Sequence, residues 1–545
     1  MTAATAATDP TAGVVLPDRP PRIATRLAVR QIRRGALIVI GLTAGMSALV
    51  AATYAGVMAD PAAAGSLQAL AGNPAIRTLF GEPVALDNAG GFTVWRVGTF
   101  VAVLLGVWAI LATTRITRGE EDAGRWDVLL AGRLTVRTAV ARHVTVVMAV
   151  AFAAGSGVSA VLLIAGTPSA GALIHGVGTG VLGMYFAAVA GLAAQVFPAR
   201  TPATGTAVAV LGVGLLTRMV GDGIADLSWL RWLSPFGLLA LAGPYHQDRI
   251  LPLLVLLAAT LLVAATMLLA AGWRDVRGGL VAASPGRPPR LRLLGSVEAF
   301  AVRRLLRPLT GWALGIGAYY LLIGMTAVSV TEFLADNPAL AHEAAEAGFA
   351  DIGAVEGFTA TLFAILALPV GGFTAVRMAA FVAAETDRRL TMLAAQPVNR
   401  LRPLGAELLV TAAGAVVLVT VAGLITWCGV VAVGGELSLL ATVQGAWNPL
   451  PIVLLSLAAA ALAVGWAPRA VAVVGALPAT GGFLLLVIAE SIGAPDRVRD
   501  LSPFAHLAPV PVQNADWPAT AAMTGLAVIL TAVAAAGYRR RDLRL

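Results

Sequence analysis

Apolar residues run along the chain in long blocks separated by short polar stretches. Twelve blocks, at 35–57, 93–115, 140–165, 172–196, 203–220, 249–271, 310–333, 358–380, 405–433, 449–467, 470–490 and 518–538, approach the length a helix needs to cross hydrocarbon, roughly 20 residues. Inside a bilayer each segment must satisfy its own backbone, so the pattern predicts helices. The expected fold is an all-α polytopic membrane protein of twelve transmembrane helices. The block at 203–220 is the shortest, and Pro451 stands near the start of another.

Arginine orients these spans. Residues 1–34 hold six Arg and two Asp, and 272–309 hold eight Arg against Asp275 and Glu298. The tail carries Arg539, Arg540, Arg541 and Arg544, whereas 335–356 has five acids and no Arg. An even number of spans with both termini cytoplasmic satisfies the positive-inside rule in the cell membrane, and Trp273, Trp312 and Trp466 fall near the expected inner ends. No separate short apolar core with a cleavage site precedes the first span, so no signal peptide is expected.

The chain also echoes itself. Ala28-Val29-Arg30 returns as Ala301-Val302-Arg303, Gly91-Phe92-Thr93 as Gly357-Phe358-Thr359, and Leu233-Ser234-Pro235-Phe236 as Leu501-Ser502-Pro503-Phe504. Phe197-Pro198 answers loosely to Ala467-Pro468, and Ala271-Gly272-Trp273-Arg274 to Ala536-Gly537-Tyr538-Arg539. The offsets stay between 265 and 273 residues. Six spans per copy is an even number, so the expected copies are parallel, related by a pseudo-two-fold axis, with a cavity between them. The expected boundaries are a cytoplasmic segment 1–34 with an interfacial amphipathic helix, a six-span half 35–271, a linker with a second such helix 272–309, a half 310–538 and a basic tail 539–545.

Composition narrows the chemistry. The chain is 58% hydrophobic and 12% charged with mean hydropathy +0.84, against about 25% charged in soluble domains. Its net charge is +9, and every basic residue apart from five His is Arg. Membrane topology accounts for that charge, so no nucleic-acid partner is expected. Without lysine there is neither a P-loop nor a Schiff base. Cys428 is alone, the His are scattered without metal spacing, and no catalytic site, cofactor or metal is expected in the chain.

Two loops carry the most information. The first runs from Arg118-Gly119-Glu120-Glu121-Asp122 through Arg125-Trp126-Asp127-Val128-Leu129-Leu130 to Arg133. The second runs from Glu385-Thr386-Asp387 through Leu390-Thr391-Met392-Leu393 to Gln396-Pro397-Val398-Asn399-Arg400. Each places acids first, then a short apolar run, then Arg, which suits a short amphipathic helix and its dipole. These loops resemble the coupling-helix loops of ABC-2 type exporter permeases. The second is the closer match, since the first has Arg133-Leu134-Thr135-Val136 where a proline is common. The tandem layout resembles the fused twelve-span permeases of actinobacteria that export polyketide antibiotics, of the tetronasin-resistance kind.

The resemblance implies a permease driven by two copies of a separate P-loop ATPase subunit, which hold ATP and Mg. Glu120, Glu121, Trp126, Leu129, Leu130, Glu385, Leu390, Met392, Leu393 and Pro397 are then the candidate coupling residues. It further implies short helices at the outer face around each Leu-Ser-Pro-Phe. Phe100, Trp108, Met219, Phe363 and Phe483 become candidate contacts for a hydrophobic or amphipathic small molecule. Few ionisable residues are expected inside spans; Arg96 and Arg377 sit near span ends and are expected to snorkel. A lipid or cell-envelope translocase of the same architecture is one rival reading, a proton-driven secondary transporter another, and a scaffold or sensor a third.

Overall fold

The structure is a computed structural model, and it describes residues 20–58, 77–78, 81–281, 292–336, 354–386, 390, 396–491 and 494–541. It is helical, with no strand among the described residues. The chain divides into two compact units that meet in sequence at Gly286 and Arg287. Among the described residues eleven helices are long and apolar enough to cross a membrane, and the chain is a multi-pass membrane protein.

In the first unit the order is α1 Pro20–Met58, α2 Ala89–Asp122, α3 Arg125–Leu130, α4 Val136–Ile164, α5 Ser169–Val196 and α6 Arg200–Gly223. A 3-10 segment Ala225–Leu233, α7 Pro235–Leu241 and α8 Leu251–Gly272 complete it. The second unit holds α9 Val297–Asp336, α10 Val355–Thr386, α11 Leu401–Ala432, α12 Leu439–Trp466 and α13 Val471–Leu486. It ends with α14 Asp496–Arg499, a 3-10 turn Pro503–His506 and α15 Trp517–Arg540. The apolar block at 470–490 is thus seen as the shorter apolar helix α13, opened by a π turn at Leu477–Gly481 that contains Pro478. Proline withdraws one helical donor, and a π turn is one way to absorb the loss.

Local signals set many of the helix starts. Asn88 accepts from Gly91 N at 2.8 Å, Thr135 from Thr138 N at 3.2 Å and Asp516 from Ala519 N at 2.9 Å. Each side chain satisfies one donor that a helix start leaves over. Within α10 the helical run stops at Ile365 and resumes at Ala367, because Pro369 has no N–H for the Ile365 carbonyl.

The Arg-rich stretches before the first span of each unit are not separate helices. Residues 20–34 belong to the 39-residue α1, and 297–309 to the 40-residue α9. The reason is packing: Ala24, Ala28 and Ile32 are buried in the core of their unit, as are Val297, Ala301 and Leu305 in theirs. Ile23 and Leu27, on the same stretch, are exposed.

Each unit is built around its fourth long helix. The apolar window of α5 is 78% buried and that of α12 also 78%, against 22% for α8 and 17% for α15. Small residues permit that crowding. A Cβ on Gly155 of α4 would stand 2.2 Å from the Gly176 carbonyl oxygen of α5. In the second unit a Cβ on Gly324 of α9 would stand 2.3 Å from the Thr426 oxygen of α11. The faces turned away carry large apolar residues such as Leu37, Leu262 and Val528, as lipid contact requires.

The repeated Leu-Ser-Pro-Phe makes the same contact in both units. Ser234 Oγ donates to the Gly214 carbonyl at 2.6 Å and accepts from Gly237 N at 3.1 Å. Ser502 Oγ donates to the Gly482 carbonyl at 2.8 Å and accepts from Phe504 N at 3.2 Å. Each motif therefore staples the short helical segment after it to the apolar helix before it.

Gly155→Ala and Gly324→Ala are each expected to cost about 1–3 kcal/mol, because the new methyl meets backbone that must move. Gly41 has open space around its Cα, so Gly41→Ala is expected to leave stability unchanged or raise it. Thermal unfolding of the purified protein in detergent checks both; equal midpoints for all three would show that the close crossings are not required.

Candidate functional site

The end of α2 is held by a buried knot of charge. Glu121 receives both terminal nitrogens of Arg274, at 2.6 and 2.8 Å, and the Arg277 backbone N–H at 2.6 Å. Arg118 lies one turn back, with Nη1 3.2 Å from Glu121. Its Nε donates to the Ala194 carbonyl at 2.9 Å and its Nη2 to Gly278 at 3.0 Å. Arg274 Nε donates to Gln195 Oε1 at 2.7 Å. One carboxylate and two guanidinium groups therefore join the ends of α2, α5 and α8.

Proline explains why a guanidinium is needed there. Pro198 stands four residues after Ala194 and has no N–H to offer its carbonyl. The second unit solves the same problem with a different arginine. Pro468 stands four residues after Val464, and Arg541 Nη1 donates to the Val464 carbonyl at 2.8 Å. Arg541 Nη2 is bonded to Glu385 at 3.1 Å, and Tyr538 donates its hydroxyl to the other Glu385 oxygen. Glu121 reaches Arg274 and Arg277 across 153 and 156 residues, and Glu385 reaches Tyr538 and Arg541 across the same 153 and 156. Each acid at the end of a second span thus clasps the end of its unit's last helix.

From the first clasp the chain turns outward. Gly124 takes φ 73°, a conformation that favours glycine, and starts α3. Glu120 pairs with Arg125 at 2.6 Å, which pushes the Arg125 pKa up, and Asp122 accepts from Arg200 N at the start of α6 at 2.8 Å. Asp127 pairs with Arg277. Trp126 is buried beside His143 of α4, ring centroids 5.5 Å apart, within the cluster that holds Ala24, Ala28 and Ile32. Leu129 and Leu130 are half-buried against that cluster, and Val128 is 83% exposed. In α3, then, Trp126 is the anchor and Val128 the presented apolar residue. The sequence pattern had not singled out Val128.

In the second unit Glu385 is buried, Leu390 is buried among Met378, Phe381, Leu404 and Tyr538, and Pro397 is exposed. Met392 and Leu393 lie outside the described residues.

Arg377 does not snorkel. It is 5% exposed and bonds Glu407 of α11, itself 1% exposed, and donates from Nη1 to the Arg304 carbonyl at 3.3 Å. That carbonyl is free because Pro308, four residues on, cannot serve it. Arg304 lies 3.6 Å from Glu407 on the other side. Sequence reading missed Glu407; its signal was an acid near the start of an apolar helix with Arg377 on the preceding span. Arg96, in contrast, is exposed, with its guanidinium 5.6 Å from the Phe92 ring centroid.

The five aromatic and Met candidates sit in different settings. Phe100 is 60% exposed, Met219 is buried, and Trp108 packs half-buried against α1 at Gly35. Phe363 is buried and stacked on Tyr320 with centroids 6.1 Å apart. Phe483 packs edge-on to Phe504 of the Ser-Pro-Phe staple at 5.6 Å. In the first unit none of the three lines the cavity of about 280 Å³ found there.

Residues 24–274 and 294–539 match the family described as multidrug efflux system permease Rv1217c, C-terminal domain. The chain is also 32% identical over 524 residues to the multidrug efflux system permease protein Rv1217c of Mycobacterium tuberculosis, covering 93% of this chain and 91% of that protein.

Breaking one clasp leaves a buried charge without its partner. Arg274→Gln is expected to destabilise the first unit by about 3–5 kcal/mol. Glu121→Gln with Arg274→Gln is expected to cost less than the two single changes added together. Unfolding midpoints of the three variants decide this, and strict additivity would mean that the pair is not coupled.

Proposed function

The chain belongs to the family of multidrug efflux system permeases, and on that footing we propose that it is the membrane permease subunit of an ATP-driven exporter. It moves hydrophobic or amphipathic compounds out of the cell. Two copies of a separate P-loop subunit hold ATP and Mg and dock one on each unit. Both termini then lie in the cytoplasm. The matched contacts of the two units support reading them as copies of one six-span plan in one orientation.

The observation that carries the coupling role is the pair of clasps. Glu121 ties α2 to the end of α8, and α3 projects directly from that knot with Val128 exposed. A push on α3 therefore reaches two spanning helices at once. Glu385 ties α10 to the end of α15 in the same way, ahead of the exposed Pro397. The roles divide accordingly: Trp126 and Leu390 seat the loops, Glu121 and Glu385 transmit, and Val128 and Pro397 meet the ATPase. Glu120 fixes Arg125, and Leu129 and Leu130 brace the turn. Met392 and Leu393 belong to the same coupling segment of the second unit.

One observation favours a second reading, a proton-driven transporter. Glu407 is a buried carboxylate on a membrane-spanning helix, and such groups serve as proton carriers. Efflux that collapses with the proton gradient while ATP is maintained would select that reading.

Val128→Asp places a charge on the presented face without touching the buried anchor. It is expected to lower ATP-dependent efflux of ethidium by about tenfold, equivalent to about 1.4 kcal/mol, at unchanged membrane yield. Unchanged efflux would remove α3 from the coupling role. Gentle purification through a tag on this chain is expected to give one permease with two P-loop subunits. The chain alone, transporting without ATP, would overturn the exporter reading.

A further inference from the structure

At the end of the first unit remote from the Glu121 clasp lies a cavity of about 280 Å³. It opens among the start of α2, the start of α5, the end of α6, α7 and the loop that leads to α8. Its walls are of two kinds. Trp95, Phe236 and Leu239 supply an apolar side. Arg218, Arg231 and Arg249 face it with Asp222 and Glu82.

The charges do not balance. Arg218 pairs with Asp222 at 2.5 Å, and both are buried. Arg231 lies 3.5 Å from Glu82 and 3.8 Å from Asp222, and Arg77 lies 3.5 Å from Glu82. The two acids are therefore shared among three guanidinium groups already. Arg249 makes no ion pair among the described residues, and the acid beside it in sequence, Asp248, is taken up by the Tyr245 backbone N–H at 2.9 Å. A surplus of fixed positive charge next to an aromatic wall is a site for an anion that carries an apolar body.

The cavity is built into the fold. A Cβ on Gly81, whose φ is +98°, would stand 2.0 Å from Arg218, and one on Gly98 would stand 3.0 Å from His175. Tyr245, which shapes the loop beside it, is wedged where Gly90 and Gly171 leave room, and its hydroxyl meets Thr167 Oγ1 at 2.9 Å. The volume lies just under the roughly 300–1,000 Å³ of small-molecule pockets.

We propose that this cavity binds an amphipathic organic anion: its rings or chain lie against Trp95, Phe236 and Leu239, and its carboxylate, sulfonate or phosphate pairs with Arg249. The ligand is either a dissolved organic acid or the headgroup end of an acidic lipid. The site stands whether or not ATP drives the chain, and its test reads binding without transport.

The test uses the purified full chain in phosphatidylcholine nanodiscs. The anionic probe is 1-anilinonaphthalene-8-sulfonate, and N-phenyl-1-naphthylamine is its neutral counterpart. Saturable binding of both is expected, and both are expected to lose it in Ala240→Trp, which fills the cavity. Arg249→Gln, at an exposed loop position, is expected to weaken the sulfonate by about tenfold and to leave the neutral probe within about twofold. If Arg249→Gln leaves the sulfonate unchanged, or weakens both probes alike, the anion assignment is overturned. If Ala240→Trp leaves the saturable binding intact, the cavity is not the site. Replacing part of the phosphatidylcholine with phosphatidylglycerol distinguishes the sources through the neutral probe, which the negative surface does not repel: its displacement indicates an acidic lipid in the cavity, unchanged binding a dissolved acid.

Discussion

A carbonyl that loses its helical donor in apolar surroundings must find another, and in this chain the replacement is repeatedly a guanidinium. Pro198, Pro468 and Pro308 each withdraw the N–H that would have served the residue four positions earlier. Arg118, Arg541 and Arg377 fill those three vacancies. An isolated guanidinium in such surroundings would be costly, so each brings a carboxylate: Glu121, Glu385 and Glu407. The absence of lysine is intelligible in this light. An ammonium is one point charge, whereas the planar fork of arginine serves a carboxylate and a carbonyl together.

The two units apply this rule unevenly. At the 273-residue offset of the Ala-Val-Arg repeat the place of Arg304 falls on Gln31, and at the 264-residue spacing of Glu385 from Glu121 the places of Arg377 and Glu407 fall on Thr113 and His143. There Gln31 Oε1, Thr113 Oγ1 and His143 Nε2 are buried without a hydrogen-bond partner among the described residues. His143 retains one bond, Nδ1 with the Ala139 carbonyl at 2.8 Å. One unit thus closes this region with ions and the other with neutral groups beside Trp126. Unsatisfied buried groups cost free energy, and the second unit is not free of them either, since Arg377 Nε is also buried without a hydrogen-bond partner among the described residues.

The spans were legible because the blocks of apolar residues are long enough that only a helix can bury their backbone. The Ser-Pro repeat was legible too, because Ser234 and Ser502 each bond a carbonyl 20 residues earlier in the same unit. The partners of Glu121 and Glu385 were not. The acids were visible, but Arg274 and Tyr538 lie 153 residues away and are of different types. The constant spacing was in the sequence, yet only three-dimensional contact gives it meaning. Likewise no local signal separates an arginine that snorkels, as Arg96 is free to do, from one that turns inward to a carbonyl, as Arg377 does. What decides is Pro308 on a helix distant in sequence.

A clasp of this kind has a mechanical consequence for an exporter. A bidentate pair buried at both ends is expensive to open, so the ends of α2 and α8 move together or not at all. If α3 has the proposed coupling role, strain arriving there would pass along α2 to the places where its ladder is already irregular. Those are the π turns at Arg115–Gly119, which contains Arg118 of the clasp, and at Val94–Gly98, at the far end. A helix bends at such turns at least cost. The second π turn carries Val94, Trp95 and Gly98, which line the cavity beside Arg218. On the proposed coupling role, the route from a push on α3 to the cavity would be a single helix, α2, fastened at Glu121 and irregular at its two π turns.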